Sequence, residues 1–184
     1  MSAITVSPRR QPSNKDCMLT CLIMAIDCRL GRLVSIVSLR RKLRHDSYVK
    51  PLELIKLALK NGLSPQVFGK LELIELNVMQ RSRVNFNHLD RVQNSALYFG
   101  NDNECLRHLI ELIEKQRPVI AMLSFNTNNP SIAHAILVTS ITTERVKYND
   151  PKTGRCEHMN LNEFMERWSA YSCFGIACLI PSDK

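Results

Sequence analysis

The stretch Gln11-Pro-Ser-Asn-Lys-Asp-Cys17-Met-Leu-Thr-Cys-Leu22 joins a polar loop directly to an apolar helical run. The residue at the junction is Cys17. A thiol at a helix N-terminus faces unpaired backbone N–H groups and the positive end of the helix dipole, and both favour the thiolate over the thiol. Cys17 is therefore the first candidate nucleophile. The default alternative is that Cys17 is a small buried residue of the core.

The length and composition predict a single globular domain. The chain has 184 residues, of which 45% are apolar and 23% are charged, and it contains no repeat or low-complexity tract. The net charge is +8, but the densest basic cluster, Arg40, Arg41, Lys42 and Arg44, is interpreted as a solvated helix end. Nucleic-acid binding would require basic residues interleaved with stacking aromatics, and aromatics make up only 6% of the chain. A nucleic-acid partner is therefore not expected.

The cysteine and hydropathy patterns predict a protein of a reducing compartment. The seven cysteines are an odd number, and residues 1–10 lack the apolar segment of a signal peptide. The apolar runs are shorter than the ~20 residues needed to span a bilayer. We therefore expect free thiols, a cytoplasmic protein and no membrane segment. The sequence has no CxxC pair and its five histidines are dispersed, so neither a structural zinc nor another cofactor is expected.

Helices are predicted mainly in the first part of the chain. Apolar residues recur at helical spacing, and the runs are bounded by capping and breaking residues such as Gly31, Pro51 and Gly62. The predicted helices cover residues 17–30, 35–43, 51–62 and 105–116, and the first of them is apolar on nearly every side, as a central buried helix would be. Residues 66–68 and 71–76 are interpreted as short strands, whereas residues 78–94 show no decisive period.

After residue 117 the pattern changes to short β-branched or apolar runs separated by turn sequences. Strands are predicted over residues 119–125, 135–141, 145–149 and 173–180, with a short helix over residues 160–168 between the last two. Helices followed by an antiparallel sheet indicate an α+β fold. We expect one domain over residues 1–184, with a helical part up to about residue 116 and a sheet part from about residue 117.

Two polar residues lie at the ends of consecutive predicted strands. His134 comes directly before the apolar run 135–138, and Asp150 comes directly after the next strand. If the two strands pair as a hairpin, these side chains lie near each other at one end of the sheet. His134 would then act as general base towards Cys17, and Asp150 would orient the imidazole, as in the thiol version of a catalytic triad. By itself, a histidine on a strand is more often structural.

The order of the motifs extends over most of the chain. The N-terminal set is Gln11-x4-Asp16-Cys17-x3-Cys21-Leu22, Val34-Ser35, Leu39-Arg40 and residues 52–62. The C-terminal set is Arg117-Pro-Val-Ile120, Ala133-His-Ala-Ile-Leu-Val138, Asn149-Asp-Pro-x2-Gly154 and Asn162-Glu-Phe-x3-Trp168. Together these motifs resemble the peptidase domain of the bacteriocin-processing (double-glycine leader) cysteine peptidases, a group of the papain-like superfamily.

The resemblance implies a role for each matching residue. Cys17 would be the nucleophile, His134 the general base and acid, and Asp150 the residue that orients the imidazole. Gln11 would donate its side-chain amide to the oxyanion, beside the backbone N–H of Cys17. Loss of one such donor typically costs ~10²–10³ in rate. Met18 departs from the family, which usually has glycine there, and its bulkier side chain is expected to narrow or reshape the cleft.

Three functions fit this set of residues. The first is a stand-alone papain-like thiol hydrolase that cleaves a peptide bond in a protein or peptide substrate. The second applies the same triad to a glutamine side-chain amide, as a deamidase or transglutaminase. Such enzymes occur among the bacterial effectors and toxins that are delivered into target cells. The third is a binding module without catalysis, against which the complete Gln, Cys, His and Asp set argues. The oligomeric state stays open, as does the role of residues 78–103 as an insertion or a lid.

Overall fold

The computed structural model describes residues 3–43, 45, 47–70, 97–124 and 133–181. The helices within these ranges are α1 (Cys17–Leu30), α2 (Ile36–Leu43), α3 (Pro51–Lys60), α4 (Asp102–Glu114) and α5 (Leu161–Ser169). The strands are β1 (Ser64–Gly69), β2 (Leu97–Phe99), β3 (Val119–Ser124), β4 (Ala133–Ile141), β5 (Arg145–Asp150), β6 (Arg155–Asn160) and β7 (Gly175–Leu179). None of the helices in these ranges reaches the length and apolar character that crossing a membrane requires.

The described strands form one sheet of order β2-β1-β7-β3-β4-β5-β6. Neighbouring strands are antiparallel except β1 and β2, which are parallel. The predicted α+β class is confirmed. Strands β1 and β2 lie before residue 116, and β1 pairs with β7, so the sheet includes residues from both parts of the chain.

Helices cover both faces of the sheet, and the alternation of side chains along its central strands explains why. In β3, Ile120 and Met122 pack into a cluster with α1 and α3, whereas Ala121 and Leu123 pack into a second cluster with α4 and α5. Successive side chains of a strand point to opposite faces, so a strand that is covered on both sides is apolar throughout. All six residues of β3 are accordingly buried.

Helix α1 is the central buried helix that the sequence predicts. Ten consecutive residues, from Cys17 to Ile26, are buried. Burying one leucine or isoleucine side chain contributes about 1.5–3 kcal/mol, so this helix anchors one face of the sheet. The helix ends at Gly31, whose φ of 59° lies in the left-handed region and whose N–H donates to the Asp27 carbonyl.

Among the element boundaries that differ from the prediction, two are explained by local hydrogen bonds and backbone angles. Helix α4 begins at Asp102 because the Asn101 side chain accepts from the backbone N–H groups of Asn103 and Glu104, forming an N-terminal cap. Strand β7 begins at Gly175, since the preceding residues at 172 and 173 have φ values of 61° and 52° that no strand can continue.

Strand β6 is an element that the sequence pattern did not predict. It is an edge strand, and four of its six residues are exposed. A strand with so little burial lacks the alternation of apolar and polar residues by which strands are recognised. The predictions for residues 71–76, 78–94 and 126–131 lie outside the described residues.

Candidate active site

Cys17 is the first residue of α1 and is 7% exposed. The chain enters the helix through a turn in which the backbone N–H of Asp16 donates to the Ser13 carbonyl at 3.1 Å. The Asp16 carbonyl then accepts from Thr20 N–H at 2.8 Å, which is the first hydrogen bond of the helix. The thiol therefore sits at the end of α1 where backbone N–H groups have no partner within the helix.

His134 and Asp150 are brought together by the hairpin of β4 and β5, as the sequence predicts. His134 is the second residue of β4, and Asp150 is the last residue of β5. The two strands pair antiparallel, and His134 Nε2 lies 2.6 Å from Asp150 Oδ1. A carboxylate oxygen only accepts, so Nε2 donates this hydrogen bond. The same oxygen accepts from Lys152 N–H at 2.7 Å, which fixes the carboxylate within its turn.

Cys17 lies close enough to His134 to affect the pKa of that histidine through a hydrogen bond and through charge, so the three side chains lie together. Burial lowers the pKa of His134, but the hydrogen bonds with Asp150 and Cys17 and the charges of both groups raise it to about 9. Burial raises the pKa of Asp150, but the hydrogen bond and charge of His134, together with the hydrogen bond and charge of Lys152, outweigh this effect and hold that pKa below its ordinary value. The site therefore favours an imidazolium beside a carboxylate.

Gln11 lies beside the turn that follows Asp150. Its backbone N–H donates to the Pro151 carbonyl at 2.7 Å. Gly154 closes the same turn with a φ of 69°, and a Cβ at that position would lie 2.7 Å from Arg10 Cβ. The turn thus packs directly against the residue before Gln11. Among the described residues, the buried Oε1 of Gln11 finds no hydrogen-bond partner.

Three residues singled out in the sequence lie in the core. Cys21 is fully buried, and burial, followed by the nearby charges of Cys17 and Asp150, raises its pKa well above the ordinary value. Such a thiol does not ionise readily, so Cys21 does not qualify as a second nucleophile. Trp168 is fully buried and donates from Nε1 to a backbone carbonyl at 3.0 Å. Met18 is 4% exposed and belongs to the core cluster on the α1 face.

An ion pair directly before the candidate nucleophile was not predicted from the sequence. The sequence predicts that Arg40 belongs to a solvated basic cluster, but its side chain is only 17% exposed and its Nε donates to Asp16 Oδ1 at 2.7 Å. Arg41 and Lys42 are exposed, as predicted. Asp16 and Arg40 are 24 residues apart, and no spacing rule links a loop residue to a helix at that distance. Both residues belong to motifs that carry the family resemblance, Asp16-Cys17 and Leu39-Arg40, but nothing in those motifs indicates that the two side chains meet.

All seven cysteines have free thiols. Within the ranges that the structure describes, no three histidine, cysteine, aspartate or glutamate side chains converge as metal ligands would.

Residues 74–176 match the sequence profile of a family described as the Peptidase_C39 like family. The match covers more than half of the chain. It includes His134 and Asp150 and begins after Cys17. No curated protein matches the chain.

Three solved structures have the same fold. A Bacillus anthracis protein described as a C39-like peptidase has a TM-score of 0.62 and 11% identity, with 97% of this chain and 98% of that chain covered. A double glycine motif protease from an AMS/PCAT transporter, in complex with the leader peptide, has a TM-score of 0.58 and 14% identity, with 97% and 92% covered. The peptidase domain of Streptococcus ComA, a bi-functional ABC transporter involved in quorum sensing, has a TM-score of 0.58 and 12% identity, with 95% and 98% covered.

Identities this low show the fold alone, whereas the family profile matches the sequence itself. The resemblance to double-glycine peptidase domains and the papain-like α+β fold are thus confirmed. The protein belongs to the Peptidase_C39-like family.

Proposed function

We propose that the protein is a cysteine peptidase that cleaves peptide bonds with Cys17 as nucleophile, His134 as general base and acid, and Asp150 as the residue that orients the imidazole. The observation that carries this proposal is the position of His134, which is hydrogen-bonded to Asp150 at 2.6 Å and whose pKa is raised by both Asp150 and Cys17. Nucleophilic catalysis typically uses a nucleophile within hydrogen-bonding reach of a base, and a third group orients that base. Membership of the Peptidase_C39-like family supports the same activity.

In the acylation step, His134 takes the thiol proton and Cys17 attacks the carbonyl carbon of the scissile peptide bond. The carbonyl oxygen becomes an oxyanion, and the backbone N–H of Cys17 and the side-chain amide of Gln11 would donate to it. The C–N bond breaks as the imidazolium of His134 gives its proton to the leaving amine. A thioester on Cys17 and a free amine result.

In the deacylation step, His134 acts as base again. It takes a proton from a water molecule, which attacks the thioester carbon, and the C–S bond breaks. The carboxylic acid product leaves, and His134 returns the proton to the thiolate of Cys17. Asp150 holds the ring in place and stabilises the imidazolium through both steps, which accords with the raised pKa of His134.

The proposed substrate is a peptide segment of a protein or a free peptide. One of the similar structures is a protease in complex with a leader peptide, which supports a peptide ligand for this fold. Thioester chemistry also permits attack on a glutamine side-chain amide, so deamidation is an outcome that the experiment must be able to detect.

The test is cleavage of a proteome-derived peptide library, read by mass spectrometry of the new peptide termini. We expect wild-type protein to create new termini at a restricted set of sites and Cys17→Ser to create none. Cys156→Ser is the matched control, because Cys156 is an exposed thiol on β6 and its loss should leave cleavage unchanged. Equal cleavage by wild-type protein and Cys17→Ser would overturn the proposal. A gain of about one dalton at glutamine without new termini would assign the triad to deamidation.

A further inference from the structure

The guanidinium of Arg40 ties helix α2 to the loop that leads into Cys17. Its Nε donates to Asp16 Oδ1 at 2.7 Å, and its Nη2 lies 2.6 Å from the same oxygen. Nη2 also donates to the Lys15 carbonyl at 2.9 Å, and Nη1 donates to the Ser47 carbonyl at 2.6 Å. All three nitrogens of one side chain therefore engage, and two of them hold the residues just before the nucleophile.

Asp16 is held on its other side as well. Its Oδ2 accepts from Ser13 Oγ at 2.6 Å, and the residue as a whole is 5% exposed. Asp16 occupies the N-cap position of α1, yet its side chain makes no capping hydrogen bond to the helix. A buried carboxylate that does not cap the helix is bound instead by Arg40 and Ser13. The contacts of Asp16 therefore hold the loop before Cys17 in place at the start of α1.

The ion pair of Asp16 and Arg40 affects the charge beside Cys17 as well as the position of the loop. A buried carboxylate directly beside a thiol disfavours the thiolate, because like charges repel strongly where water is excluded. The guanidinium of Arg40 compensates the charge of Asp16. The planar fork of an arginine also fixes the direction of the carboxylate, which a lysine ammonium does not do.

We propose that Arg40 is a positioning residue for the nucleophile. By holding the Asp16 carboxylate and the Lys15 carbonyl, it fixes the peptide bond between Asp16 and Cys17. That peptide bond carries the backbone N–H that would face the oxyanion, and it determines where the thiol lies relative to His134. The inference rests on the proposed function, since it assigns Arg40 a role only if Cys17 is the nucleophile.

The size of the effect follows from the geometry of nucleophilic attack. A displacement of the nucleophile by about 1 Å can cost ~10² in rate, even when the substituted residue does not touch the substrate. An ion pair that only stabilised the fold would lower the folded fraction and leave the reactivity of the folded molecules unchanged. The reactivity of Cys17 relative to another thiol in the same molecule therefore separates the two roles.

The experiment measures the rate of Cys17 alkylation by iodoacetamide at several pH values, with each cysteine followed by peptide mapping. Cys156 is exposed and serves as the internal reference. We expect Arg40→Gln to slow Cys17 alkylation ~10- to 100-fold while Cys156 reacts at its wild-type rate. Arg41→Gln is the matched control, because Arg41 is exposed on the same helix, and it should behave as wild type.

Arg40→Lys keeps the positive charge, so it provides a folded variant for the test if Arg40→Gln does not fold. We expect it to slow Cys17 alkylation severalfold, because an ammonium cannot reproduce the fork of hydrogen bonds. A wild-type ratio of Cys17 to Cys156 alkylation in either folded Arg40 variant overturns the inference. A wild-type protein in which Cys17 reacts no faster than Cys156 counts against the proposed function itself, so the two failures are distinguishable.

Discussion

Replacement of Asp150 by asparagine tests how the raised pKa of His134 arises. Asparagine has nearly the same shape but carries no charge, so it leaves the packing of the turn intact. The pKa of His134 is raised from 6.5 to about 9, with Asp150 contributing both a hydrogen bond of 2.6 Å and a charge. This difference corresponds to about 3 kcal/mol in favour of the imidazolium.

A hydrogen bond to a charged group contributes about 1.5–3 kcal/mol, so we expect Asp150→Asn to lower the pKa of His134 by about one to two pKa units. Burial lowers the pKa of His134, and without the charge of Asp150 fewer interactions raise it. The assay is a titration of His134 by NMR of protein labelled with ¹⁵N-histidine, with His134→Gln used to assign the resonance. Cys17 alkylation should slow by at most about twofold at neutral pH, because an imidazole whose pKa falls by one to two units from about 9 is still at least half protonated there.

Glu166→Gln is the matched control, since Glu166 is an exposed carboxylate on α5. In Glu166→Gln, His134 should titrate with the wild-type pKa and Cys17 should be alkylated at the wild-type rate. If His134 titrates identically in Asp150→Asn and in wild-type protein, Asp150 does not hold the imidazolium, and the assignment of the orienting residue fails.

Three further predictions concern the oxyanion, the pH dependence of stability and the packing of the sheet. Gln11→Ala should lower kcat by ~10²–10³ in the peptide-cleavage assay while circular dichroism stays unchanged, and a wild-type kcat would remove Gln11 from the oxyanion site. His134 has a higher pKa in the folded protein than its ordinary 6.5, so its stabilising contribution is complete below pH 6.5 and is lost as the pH rises to about 9. Urea unfolding should therefore show the free energy of unfolding fall by about 3 kcal/mol over this range, and a fall of equal size in His134→Gln would mean that another group causes it. Gly175→Ala should destabilise the protein by ~1–3 kcal/mol in urea unfolding, because the added Cβ would lie 2.5 Å from Cζ of the fully buried Phe68; unchanged stability would mean that the ring moves freely.

The sequence predicts those parts of the site that depend on short-range patterns. Cys17 is at the start of an apolar helix, and the proximity of His134 to Asp150 follows from a hairpin between two recognisable strands. In each case the residue stands at the end of an element whose period is visible in the sequence. The identity of the helix and the pairing of the strands were therefore enough to place the residues.

Other features depend on tertiary contacts that leave no periodic trace. The ion pair of Asp16 and Arg40 joins a loop to a helix across 24 residues. Strand β6 is largely exposed, so it lacks the alternation that identifies a strand. The parallel pairing of β1 with β2 brings together segments that are far apart in the chain, and no local signal specifies that partner.

The most direct test of Cys17 as the nucleophile is to trap the acyl group on the protein. The peptide cleaved fastest in the library is mixed with excess wild-type protein, the reaction is stopped with acid, and the modified residue is located by peptide mapping. We expect a thioester on Cys17 in wild-type protein that is absent in Cys17→Ser and strongly reduced in His134→Gln, because His134 is needed to form it. Cleavage that continues in Cys17→Ser, or an acyl group found on a different residue, would contradict the assignment of Cys17.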